Sequence, residues 1–201
     1  MTKEKLTGFW EHTYENGQYL EHWDYKNPSQ ELVTFTATGL IPEDARCLDL
    51  GCGAGNEAIF LAQCGYRVAG IDLSKKALVI AGERARNKNV EIEWIQGDVL
   101  ATGLESDSFD FINDRGCFHH IKDIDRPAFS KEMARLLRVG GHLMIRGCSD
   151  ENSGEHFVLV NKESIDRFFK KQTFDRGPVL PIIMISDAGT LESNIVILTK
   201  K

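Results

Sequence analysis

The stretch CLDLGCGAGNEAIFLA, Cys47–Ala62, decides the fold. Apolar residues run into Gly51, Gly53 and Gly55, and the chain then resumes with helical spacing. A glycine cluster at a strand-to-helix junction lets the backbone approach a ligand closely, because no β-carbon stands in the way. The residues on either side say which kind of sheet carries that junction.

From Ala45 onward strands and helices alternate. RCLDL is a short buried strand, and Asn56–Cys64 a helix stopped by Gly65. RVAGIDL is the next strand, with Ser74 capping a helix that carries Ala77, Leu78, Ala81 and Ala85 on one face. VEIEWI alternates as a strand should, and SFDFIN is a fourth. Asp125 and Pro127 open a helix with Phe129, Met133, Leu136 and Leu137 at helical spacing, closed by Gly140–Gly141. HLMIRGC is a fifth strand, followed by a helix from about Asn161 to Lys171 and two apolar runs, VLPIIMIS and NIVILT. Only Asp187–Ser193 separates those runs, too little for a helical crossover, so they pair antiparallel, whereas the earlier strands are parallel. The expectation is an α/β chain with one doubly wound, mostly parallel, seven-stranded sheet and a C-terminal antiparallel hairpin.

Before the alternation, Leu6, Phe9, Trp10 and Tyr14 stand at helical spacing; Gly17 interrupts, and Asn27 and Pro28 open a second helix. The organisation expected is a single domain: an N-terminal helical lid over 1–44, a ligand-binding core over 45–150, and a terminal helix and hairpin over 151–201.

The chain has 201 residues and a net charge of −6, so the broad basic footprint of a general nucleic-acid binder is missing. No apolar run reaches membrane-spanning length and the N-terminus has no signal-peptide core, which argues against a membrane partner. The five cysteines, with no Cys-x-x-Cys pair, read as reduced thiols of a cytoplasmic protein.

Three ligands compete for the glycine loop. Gly53-Ala54-Gly55-Asn56-Glu57-Ala58 matches the dinucleotide pattern, with Asp72 about 20 residues on, but no Tyr-x-x-x-Lys pair follows. A P-loop is excluded, since no Gly-Lys-Ser or Gly-Lys-Thr occurs. The third ligand has a ribose and a charged amino-acid tail without phosphate. LDLGCGAG, VAGIDLS, IQGDVL, FDFINDRGCFHHI and LLRVGGHLMI resemble, in order and spacing, the motifs of the class I S-adenosylmethionine-dependent methyltransferases. The resemblance implies a Rossmann-like methyltransferase fold with S-adenosylmethionine as cofactor.

It also implies site residues. The loop Gly51-Cys52-Gly53 turns against the methionyl part of the cofactor, and Asp49 meets its ammonium. Asp72 has two oxygens for the ribose hydroxyls. Asp98 accepts from the adenine amine with the Val99 amide beside it, and Leu73 and Val99 supply apolar walls. Asp114 and Arg115 fall where the fourth motif meets the methionyl end. Structural readings stay open: Asp49 capping loop amides, and Leu73 and Val99 simply packing the core.

His119 and His120 are the candidate general bases; the alternative has one in the core and the other on a backbone group. Cys117 with these histidines lacks a fourth ligand at metal spacing, so no metal is expected. No Asn-Pro-Pro or Asp-Pro-Pro follows FDFI, which points away from nucleic acid. HWDYKNPSQELV resembles the lid of thiopurine methyltransferase-like enzymes, which implies that Trp23 packs on the cofactor, although Lys26 replaces a usual glycine. Trp10, Tyr14, Tyr19, Trp23 and Tyr25 either line an aromatic-accepting pocket or pack on one another. The function expected is methyl transfer to a sulfur, oxygen or nitrogen atom of a small molecule by a monomer or homodimer. The alternatives are a protein or nucleic-acid methyltransferase and a non-catalytic cofactor-binding module.

Overall fold

A computed structural model describes residues 3–24, 27–153 and 157–201. They form two compact units, 1–98 with Ile185–Gly189, and Val99–Met184 with Thr190–Lys201.

The first unit opens with α1 (Lys3–Glu15), the short α2 (Tyr19–His22) and α3 (Gln30–Ala37). Strands β1 (Arg46–Leu50), β2 (Arg67–Asp72) and β3 (Glu93–Gln96) then alternate with α4 (Asn56–Gln63) and α5 (Lys75–Asn87). The strands lie in the order β3-β2-β1, and both pairings are parallel, with Leu48 opposite Ala69 and Gly70 opposite Trp94. Each strand of the β1–β2 pair is buried along nearly its whole length, so apart from Asp49 and the strand ends its residues are apolar or small. Fully buried Leu48, Ile71 and Leu61 fill the core, while Ala77 and Ala81 keep the buried face of α5 thin. Ser74 caps α5 by accepting from the Ala77 amide, as its position predicts. Helix α3 departs from expectation: Ser29, two residues beyond Asn27, is its cap and accepts from the Leu32 amide, so Pro28 precedes the helix.

The second unit contains β4 (Phe109–Arg115), a 3-10 turn (Phe118–His120), α6 (Arg126–Leu136), β5 (Leu137–Cys148), α7 (Lys162–Phe168), β6 (Phe174–Arg176), most of β7 (Leu180–Ser186) and all but the first residue of β8 (Gly189–Lys200). Here β4 and β5 are parallel, β8 runs antiparallel between β5 and β6, and β7 pairs with β8. The parallel pairs and the antiparallel terminal hairpin match the expected class. Two details differ. Among the described residues the three-residue β6 raises the strands to eight, because a strand that short carries no periodic signal. Gly140–Gly141 does not close α6: the strand begins at Leu137, opposite Phe109, and after an irregularity resumes with His142 opposite Phe111. Gly140, at φ 81°, supplies the positive φ of that bulge.

Among the described residues no helix is long and apolar enough to cross a membrane. Among the described residues no disulfide joins any of the five cysteines.

Candidate active site

The glycine loop takes its shape from conformations that only glycine adopts cheaply. Gly51, Gly53 and Gly55 have φ values of 56°, 52° and 84°. The loop is pinned by its own amides: Cys52 N–H donates to Ile71 O (3.1 Å) and Gly55 N–H to Cys52 O (2.9 Å). Gly53 N–H donates to Asp72 Oδ2 (2.9 Å), so the loop after β1 and the carboxylate ending β2 are one constellation. Asp72 Oδ1 accepts from Ser74 N–H (2.8 Å). Burial pushes the Asp72 carboxyl up to about 6, against the pull of those amides. Two carboxylate oxygens have about four acceptor positions, so Asp72 keeps capacity for a hydroxyl donor.

Asp49 is buried in β1, Cys52 and Leu73 are half-buried, and Asp98 is half-buried beyond the end of β3. Behind the loop stands Trp94. A β-carbon on Gly70 would lie 2.6 Å from its Cζ3, and one on Gly55 2.7 Å from its Cη2. One indole thus fills the space that two glycines leave.

The N-terminal helices are fastened to both helices that flank the loop. Glu11 of α1 caps the start of α5, accepting from Lys75 N–H (2.8 Å), Lys76 N–H (3.1 Å) and the Ser74 hydroxyl (3.1 Å). Asp24 receives a bidentate bond from Arg84 of α5 (2.6 and 2.7 Å) and one from Asn56 Nδ2 of α4 (2.9 Å). Glu57, buried in the first turn of α4, accepts from Ser29 N–H (2.7 Å). Tyr14 reaches the loop itself: a β-carbon on Gly53 would collide with its hydroxyl, which accepts from Trp23 Nε1 (3.0 Å). Trp10, Tyr14, Tyr19 and Trp23 pack on one another, with Tyr14 and Tyr19 ring centroids 4.8 Å apart and those of Trp10 and Trp23 5.5 Å apart. Tyr25 and Lys26 lie outside the described residues.

Val99, Asp114, His119 and His120 belong to the second unit. Val99 is half-buried. Asp114 ends β4 fully buried, and its carboxyl accepts from the amides of Cys117 (3.0 Å) and Phe118 (2.9 Å), holding the turn that carries the histidines. Burial pushes this carboxyl up to about 7. His119 is buried, and its Nδ1 accepts from Cys148 N–H (3.0 Å). Burial, His120 and Arg126 hold its pKa well below the usual histidine value, so it is neutral with its proton on Nε2. That leaves it no lone pair with which to act as a base. His120 is exposed, edge-on to His119 with centroids 4.4 Å apart.

Arg126 clamps the same turn. Fully buried, it donates to Ile121 O (3.0 Å), Val158 O (2.7 Å) and Leu159 O (3.2 Å). Its guanidinium carbon lies 4.1 Å from the Phe118 ring centroid. A groove of about 840 Å³ near α6 and α7, lined by Lys131, Arg167 and Lys170 among others, contains none of the expected site residues. Among the described residues no three His, Cys, Asp or Glu side chains are grouped to hold a metal.

Sequence reading missed Glu11, Asp24, Arg84, Trp94 and Arg126 as supports of the site. Asp24 and Arg84 stand 60 positions apart and Glu11 and Lys75 64 apart, with no local spacing to link them. Trp94 had one available signal, the glycine inside β2, which marks a close approach by a neighbour.

A family profile described as a methyltransferase domain matches residues 47–141. The chain is 29% identical over 160 residues to a probable thiol methyltransferase 2 of Arabidopsis thaliana, covering 77% of this chain and 68% of that one. A structure described for the conversion of a disulfide bond into a thioacetal group during echinomycin biosynthesis superposes with a TM-score of 0.83 at 22% identity, covering 97% of this chain and 93% of that one. The 1,6-didemethyltoxoflavin-N1-methyltransferase of Burkholderia thailandensis, solved with S-adenosylhomocysteine, gives a TM-score of 0.78 at 18% identity, covering 98% and 87%. The left-handed glycine loop after β1 and the buried carboxylate ending β2 fit the cofactor of these enzymes, a nucleoside with vicinal hydroxyls and no phosphate. The chain belongs to the class I S-adenosylmethionine-dependent methyltransferases.

Proposed function

We propose that this methyltransferase acts on a sulfur, oxygen or nitrogen atom of a small molecule. The observation that carries the reading is the lid: an aromatic helical segment, fastened to α4 and α5, that brings Tyr14 onto the glycine loop. A cover of that kind suits an acceptor small enough to be enclosed with the cofactor, away from water. The net charge of −6 and the names of the thiol and toxoflavin methyltransferases support the same reading.

When bound, S-adenosylmethionine supplies a methyl group on a sulfonium sulfur. The chain's own residues bind and orient it. Asp72 accepts the ribose hydroxyls, Asp49 faces the ammonium, and Gly51, Cys52 and Gly53 give the tail a surface free of β-carbons. Asp98 and the adjacent Val99 amide read the adenine edge, Leu73 and Val99 supply apolar contact, and Trp23 closes over the cofactor as part of the lid. Asp114 shapes the turn after β4. Of the two histidines, His119 has its Nδ1 lone pair engaged by the Cys148 amide, so any base role falls to His120, whose pKa is lowered to about 4 by desolvation. With an acceptor already ionised, alignment alone supplies the rate, worth up to about 7–11 kcal/mol.

The test is methyl transfer from labelled cofactor to a panel of small thiols, phenols, amines and halides, with proteins and nucleic acids as controls. Transfer to a small acceptor is expected. Transfer only to a macromolecule, or tight cofactor binding with transfer to nothing, would replace this reading with one of its alternatives.

A further inference from the structure

Tyr14 holds an unspent proton beside the glycine loop. Its hydroxyl oxygen accepts from Trp23 Nε1 at 3.0 Å, and an indole N–H can only donate. The phenolic proton therefore points elsewhere, and among the described residues Trp23 is the one hydrogen-bond partner of that hydroxyl. Tyr14 is only 6% exposed, so bulk water is a poor substitute. Burial and the nearby Asp72 charge hold the phenol pKa well above its usual value, which keeps the proton in place.

The surroundings say what this donor lacks. It stands against Gly53, at the bare backbone of the loop. The loop amides of Cys52, Gly53 and Gly55 are already committed to Ile71, Asp72 and Cys52. An anionic group entering the cradle finds these three amides occupied, and the Tyr14 hydroxyl beside Gly53 is a side-chain donor placed to serve it. The cofactor carries one such group, the carboxylate of its amino-acid tail; its ribose hydroxyls are donors matched to Asp72, and its ammonium is a donor matched to Asp49.

We propose that Tyr14 donates its hydroxyl proton to the tail carboxylate, so that the lid recognises cofactors by their amino-acid tail. This rests on the cofactor-binding reading above. Trp23 then acts as a positioning residue: by donating to the Tyr14 oxygen it orients the phenolic proton toward the loop. An occupied tail site gives the lid an added contact, and a nucleoside without a carboxylate leaves the hydroxyl unsatisfied.

The experiment is a two-by-two titration calorimetry set. Wild type and Tyr14→Phe are each titrated with S-adenosylhomocysteine and with its decarboxylated analogue. A hydrogen bond to a charged group is strong enough for about a tenfold or larger change in affinity. The wild type is expected to prefer the full ligand by at least about that factor, and Tyr14→Phe to lose the preference while binding the decarboxylated ligand as the wild type does. Equal weakening of both ligands would show that Tyr14 only packs the lid, and unchanged discrimination would place the carboxylate elsewhere; either overturns the proposal. If Tyr14→Phe does not fold, Tyr14→Met takes its place, and absence of any preference in the wild type is by itself decisive against it. Failure of the wild type to bind either ligand would instead sink the cofactor reading, and this proposal with it.

Discussion

Trp94 of β3 lies directly across from Gly70 of β2, and its indole occupies the volume a side chain at Gly70 would need. The same ring reaches Gly55, the last glycine of the loop and the N-cap of α4. A tryptophan outside the expected cofactor residues therefore fills the space beside the loop. Gly70→Ala is expected to lower stability by about 1–3 kcal/mol through overpacking, read from the denaturant midpoint. Adding Trp94→Leu to Gly70→Ala should cost less than the two single changes summed, because the smaller side chain relieves the clash. Strict additivity would mean that the contact does not shape the loop.

The Asp24–Arg84 pair ties the N-terminal segment to α5, and Asn56 adds a bond from α4. Replacing Asp24 with Ala leaves the half-buried guanidinium without its bidentate partner. Limited proteolysis within residues 3–24 is expected to accelerate, and affinity for S-adenosylhomocysteine to fall severalfold, with the far-ultraviolet circular dichroism of the remaining elements unchanged. Protection equal to wild type would show that the lid is held without this pair.

Asp72 links the site to pH in two opposite senses. Its carboxyl titrates at about 6 in the folded protein, against about 3.9 in an unfolded chain. The protonated form is the one favoured on folding, so this contribution to stability is complete below about pH 4 and lost as pH rises through about 6. Ribose hydroxyls need the ionised form, so cofactor affinity should fall by up to about tenfold per unit below pH 6 and be flat above it. Asp72→Asn removes both dependences. Affinity that stays constant from pH 7 to pH 5 in the wild type would contradict the role given to this carboxylate.

Arg126 joins the turn after β4 to the segment at Val158 and Leu159 through buried carbonyls. Burial lowers its pKa only to about 10, so it stays charged at neutral pH. Arg126→Met strands those carbonyls, each costing about 1–3 kcal/mol when left without a partner. Arg126→Lys cannot reproduce the planar fork and is expected to rescue little. Thermal unfolding of both variants checks this; a lysine variant as stable as the wild type would show that charge alone suffices there.

The sequence announced the parallel α/β core because its signals are local. A buried strand running into Gly51, Gly53 and Gly55, a cap at Ser74 and an acidic residue at the end of RVAGID are all contained within short windows. The terminal hairpin was legible from loop length alone, since Asp187–Ser193 cannot hold a crossover. What stayed hidden depends on distance. The bonds from Glu11, Asp24 and Glu57 that fasten the N-terminal segment join residues 28 to 65 positions apart, and nothing in their spacing pairs them. His119 shows a second kind of limit: the residue type suggests a base, but the amide of Cys148, 29 positions away, takes the lone pair that a base requires.

The most direct measurement is calorimetric titration of S-adenosylhomocysteine into the wild type and into Asp72→Ala. Saturable single-site binding to the wild type is expected, with a loss of about a hundredfold in the variant, the scale of a charged hydrogen-bonding partner removed. No binding at millimolar ligand, or equal affinity in the two proteins, would contradict the claim that the glycine loop and Asp72 together hold the cofactor.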